Sequence, residues 1–110
     1  DIAEQAVDLR VGARHLGPAV FQAHGTRLLA HARRDSGQSR GVADFLLAWW
    51  NTGSCGAFDL TSLWALDTDI VADMTTVFGL IGRVHRYPDS LGYEAEFKAI
   101  VQAWRPELGD

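Results

Sequence analysis

Apolar side chains recur along this chain at intervals of three and four residues, and no useful length alternates apolar with polar. That period belongs to helices with one buried face, and it excludes sheet as the main architecture. Ile2, Ala6, Leu9, Ala13 and Leu16 form a first stripe, closed by Gly17-Pro18. Pro18 suits the first turn of a second helix, whose face is Phe21, Gly25, Leu28 and Ala32 with Leu29 beside them. A third helix, roughly 39–51, carries Val42, Phe45, Leu46 and Trp49 on one side and Ala43, Leu47 and Trp50 on the other. A helix apolar around most of its girth is a buried one, so this is the expected central element. Ile70, Met74, Val77, Phe78 and Ile81 mark a fourth helix, and Tyr93, Phe97, Ile100, Val101 and Trp104 a fifth.

The breaks between stripes carry turn chemistry. Residues 35–39 (Asp-Ser-Gly-Gln-Ser) offer two N-caps, and residues 51–56 (Asn-Thr-Gly-Ser-Cys-Gly) read as a loop. Asp59 caps a short turn holding Leu60, Leu63 and Trp64, and Asp67 or Thr68 caps the fourth helix. Tyr87-Pro88 closes that helix and Pro106 closes the fifth, where Glu94 and Lys98 pair one turn apart. The expected fold is an all-α bundle of about five helices, one domain over residues 1–110, with a buried Trp-rich central helix. Trp49, Trp50, Trp64 and Trp104 are expected to dominate stability, since burial is worth about 25 cal/mol per Å² of apolar area. Gly79 and Gly82, nearly a turn apart, are expected to permit close helix packing or a contact between subunits.

Charge is segregated along the chain. Residues 10–40 hold six arginines against Asp35, a net of +5. Residues 41–82 hold Asp44, Asp59, Asp67, Asp69 and Asp73 with no lysine or arginine, a net of −5. His24, Arg27, His31 and Arg34 project from one edge of the second helix, an arrangement suited to phosphate or to an acidic protein surface. Asp69 and Asp73 form the acidic counterpart on the fourth helix, suited to a basic partner. The bland readings are a solvated flank and acids that complement a helix dipole.

Catalytic signals are weak. His24 and His31 are seven apart rather than four, His15 and His85 lie on other segments, and Cys55 is the only cysteine, so no metal site is expected. No phosphate-cradling loop occurs, no cofactor is implied, and no catalytic residue is assigned. Cys55 follows a helix C-terminus, which raises a thiol pKa instead of lowering it. A helix as apolar as the third, with a sequence pI of 5.4, is poor for reading nucleic acid. No apolar run is long enough to span a membrane, the first residues lack a secretion-signal pattern, and a lone cysteine suits the reducing cytoplasm.

The runs from Phe45 through Trp49-Trp50-Asn51, from Cys55 to Leu60, Leu63-Trp64, and from Tyr87-Pro88-Asp89 to Tyr93 resemble a group of small uncharacterised proteins. Those proteins are encoded on proteobacterial plasmids and integrative conjugative elements, and the similarity spans roughly residues 35–105. The resemblance implies an accessory gene on mobile DNA, of the kind whose products bind host or rival proteins.

The expected function is non-catalytic docking on an unidentified protein partner, through basic and acidic surfaces left wet on separate sides. A homodimer pairing the two poles is a further association the pattern allows. The alternatives are weak nucleic-acid binding by the basic strip and a small enzyme with a site near Cys55. An open cleft at Trp49 and Trp50 beside titratable groups would instead favour a ligand receptor or a catalyst.

Overall fold

The computed structural model describes residues 19–108, and the first stripe predicted from sequence lies outside them. Among the described residues there are helices and no strand, so the fold is all-α. A π-helical turn, Phe21–Gly25, runs straight into α1, Thr26–Ala32. Its wide turn closes through the Thr26 N–H donating to the Phe21 carbonyl. Gly25 is required there: a Cβ would stand 2.4 Å from the Phe21 ring. That ring is fully buried, with Tyr93 at 4.5 Å and Trp49 at 5.4 Å between centroids.

α2, Gly37–Cys55, is the central element. Ser36 is its N-cap, accepting the Ser39 N–H at 3.1 Å. Val42, Ala43, Phe45, Leu46 and Leu47 are all buried. The predicted loop after it is partly another helical turn. Asn51 leaves helical geometry (φ −162°, ψ 91°), its Oδ1 accepts the Ser54 N–H, and the turn ends at Gly56 with φ 97°. Asp59 caps the 3-10 turn Leu60–Ala65, accepting both the Thr61 N–H and hydroxyl.

α3, Thr68–Val84, buries Ile70, Met74, Val77 and Leu80. Phe78 was expected in the core and is 66% exposed. The buried arc centres on Val77, and a side chain one residue on is rotated about 100°, to the rim. Asp67 sits at the N-cap position, yet its carboxylate accepts from Gln38 Nε2 across the bundle instead of capping the helix. Gly79 and Gly82 do not mark a close approach: a Cβ at Gly82 would meet nothing within 4 Å, and one at Gly79 only the Arg83 side chain. His85 ends the helix in the left-handed region (φ 57°), with its Nε2–H donating to the Gly82 carbonyl at 2.8 Å. α4, Glu94–Trp104, buries Phe97 and Ile100 and bears the expected Glu94–Lys98 pair at 2.9 Å.

The tryptophans divide into three situations. Trp104 donates its indole N–H to the Ala32 carbonyl at 2.6 Å, satisfying the end of α1. Trp49 does the same for the Arg86 carbonyl at 3.1 Å, and Trp50 packs edge-on against Phe97. These three are only partly buried. Trp64 contradicts the sequence expectation outright, because it is 85% exposed. The apolar core is instead aliphatic and phenylalanine-rich.

Candidate functional site

The basic strip and the acidic edge meet inside one chain. Asp73 lies on the core side of α3 and is itself buried. Arg27 from α1 donates through Nε to Asp73 Oδ2 at 2.9 Å and through Nη2 to Oδ1 at 2.7 Å, a bidentate pair. His24, on the π turn, places Nδ1 2.9 Å from the same Oδ1. The hydrogen bonds from Arg27 hold the Asp73 carboxyl below the usual carboxylate range, burial opposes them, and His24 adds to them. His31 and Asp69 line the same hollow of about 530 Å³ as His24, Arg27 and Asp73. The expected separation of the two poles is therefore overturned, and the head-to-tail homodimer loses part of its driving charge. Arg34 stays exposed beyond this contact. Among the described residues no three His, Cys, Asp or Glu gather as a metal site would need.

Cys55 is buried, and burial pushes its thiol pKa up while Arg105 opposes the shift. Its carbonyl accepts from Arg105 Nε at 3.0 Å, and Arg105 Nη2 donates to Asp44 Oδ1 at 2.6 Å. This guanidinium clamps the end of α4 to two points of α2. At Cys55 burial outweighs the pull of the Arg105 guanidinium, so the thiol is held protonated beside this clamp.

Between the 3-10 turn Leu60–Ala65 and α3 runs an apolar groove of about 170 Å³. Phe45, Phe58, Leu63 and Met74 form its floor and walls, with Phe45 and Phe58 edge to face at 5.5 Å. Leu60 and Phe78 stand at its lips, 69% and 66% exposed. Trp64 lies one turn along from Leu60 and is the most exposed large apolar side chain described. Acids flank the 3-10 turn at both ends, Asp59 and Asp67. The hydrogen bonds from Thr61 keep Asp59 ionised to lower pH than usual. No lysine or arginine occurs between Arg40 and Arg83, and none lines the groove.

A second cleft, of about 440 Å³, opens where α2 breaks. Trp49, Trp50, Asn51, Thr52, Tyr87 and Asp89 line it. The expectation of fully hidden scaffolding at Trp49 and Trp50 fails here, and with it the premise on which docking through the basic and acidic helix surfaces rested. The cleft holds a carboxyl and a phenol beside the two tryptophans.

The groove was not singled out from sequence, and the cleft at Trp49 and Trp50 was named only as the arrangement that would favour a receptor or a catalyst. The signal for the groove was present as the residue types Leu60, Trp64 and Phe78 on short, acid-flanked segments, but periodicity assigns such residues to a core. No curated protein and no solved structure matches the chain. Residues 23–105 match DUF7673, a family of unknown function, and the chain belongs to that family.

Proposed function

We propose that this protein is a non-catalytic interaction module whose apolar groove takes a basic amphipathic segment of another protein. The observation that carries the reading is the pair of lips, Leu60 and Phe78, each about two-thirds exposed above an apolar floor. Contiguous apolar surface of this kind on a folded domain marks an interaction site. Charge selects the occupant. Of the five aspartates in residues 41–82, Asp44 and Asp73 are paired internally and Asp69 lines the hollow of His24, Arg27 and His31, while Asp59 and Asp67 are exposed at the two ends of the 3-10 turn beside the groove. A helix with apolar anchors one turn apart and lysine or arginine on its flanks satisfies both features.

The acidic surface expected at Asp69 and Asp73 gives way in this reading to Asp59 and Asp67 beside the groove. His31 and Arg34 remain a secondary basic surface for an acidic partner. The resemblance to proteins of plasmids and conjugative elements supports a modulator carried on bacterial mobile DNA, acting in the cytoplasm, where an unpaired Cys55 stays reduced.

Fluorescence anisotropy tests the reading with two synthetic helical peptides of one leucine pattern, one lysine-flanked and one glutamate-flanked. The lysine peptide binds with salt-dependent affinity, and the double variant Leu60→Ser/Phe78→Ser abolishes binding while keeping native far-UV dichroism. Equal binding of both peptides, or undiminished binding by the variant, overturns it. A stable dimer lost in the same variant would make a second copy the occupant and also overturn it.

A further inference from the structure

We infer that the apolar groove is a socket for one phenylalanine side chain of the partner segment, an inference that rests on the groove being the partner's site. The groove encloses about 170 Å³. Sites for whole small molecules run from about 300 Å³ upward, so this one suits a single side chain. An apolar cavity of about 150 Å³ lined by leucine, isoleucine and phenylalanine stays dry and takes benzene. A phenyl ring therefore matches the space. A leucine side chain is smaller, and apolar space left unfilled forfeits contacts.

The lining selects the same group. Phe45 and Met74 are buried at the floor, and Phe58 meets Phe45 edge to face at 5.5 Å. An aromatic anchor adds a third ring to that pair, and the Met74 thioether is favourable beside a ring. Thr75 is the one polar side chain of the lining. Its hydroxyl donates to the Val71 carbonyl at 2.8 Å, and the residue is exposed instead of buried at the floor. A tyrosine hydroxyl carried to the floor would lose its water without gaining a partner there. The indole N–H of tryptophan meets the same obstacle. Asp59 and Asp67, exposed at the two ends of the 3-10 turn, select basic residues on the anchor's flanks.

The test uses four lysine-flanked helical peptides that differ only at the central anchor: phenylalanine, leucine, tyrosine or alanine. By fluorescence anisotropy the phenylalanine peptide binds about tenfold more tightly than the leucine and tyrosine peptides, and alanine binds weakest. Met74 is the only methionine, so its methyl resonance is a single reporter at the floor. It takes a ring-current shift with the phenylalanine peptide and none with the leucine peptide. Thr75→Leu, at an exposed position of the lining, narrows the socket and removes the preference for phenylalanine while the melting temperature holds. Leucine or tyrosine binding as tightly as phenylalanine, binding without a ring-current shift at Met74, or an undiminished preference in Thr75→Leu overturns the socket and leaves the groove reading standing. Failure of all four peptides to bind overturns both.

Discussion

Asp73 is a carboxylate placed on the packed side of a helix, where an unpaired charge would be expensive. Arg27 and His24 make it tolerable, and they come from an element 46 and 49 residues earlier. Helical spacing could place all three residues on edges, but no local pattern reveals a pairing across that distance. The loss of Asp73→Ala is set at about 1–3 kcal/mol by charged hydrogen bonds left unmade, read by urea denaturation at pH 7. Its folded pKa is depressed, so the stabilisation is complete above the ordinary aspartate value of about 3.9. It disappears as pH falls through the lower folded value, and Asp73→Asn should lack that part of the acid dependence. The tryptophans make a second residue-scale contrast. Trp104→Phe removes the N–H held by the Ala32 carbonyl and should cost about 1 kcal/mol. Trp64→Ala at an 85% exposed position should stay within about 0.5 kcal/mol of wild type.

The helices themselves were legible because their apolar period is strong: Phe21, Leu28, Val42, Leu46, Val77, Phe97 and Ile100 are buried as their stripes require. What the period leaves open is where each face ends, since it gives a direction and not the extent of the partner. Phe78 fell to the rim of α3 for that reason, and Leu80 and Asp73 took its place inside. The π turn was hidden for another reason, because widening one turn moves hydrogen bonds without changing composition. Its dependence on Gly25 is measurable. Gly25→Ala drives a methyl into the Phe21 ring and should destabilise by about 1–3 kcal/mol. Gly82→Ala adds a methyl to open space on α3 and should stabilise by about 0.5–1 kcal/mol, so thermal melts of the two variants move in opposite directions.

Across the whole molecule, linear segregation of charge does not become spatial segregation. The bundle folds the arginine-bearing α1 against the aspartate-bearing α3, and part of each pole cancels. Asp59 and Asp67 stay exposed at the two ends of the 3-10 turn beside the apolar groove, and this is the surface proposed for a partner. The most direct measurement is NMR shift mapping of the chain with the lysine-flanked amphipathic peptide. The predicted perturbations centre on Leu60, Leu63, Trp64 and Phe78 and spare His24 and Arg27. Perturbations centred on His31 and Arg34, with the groove residues unmoved, would contradict it.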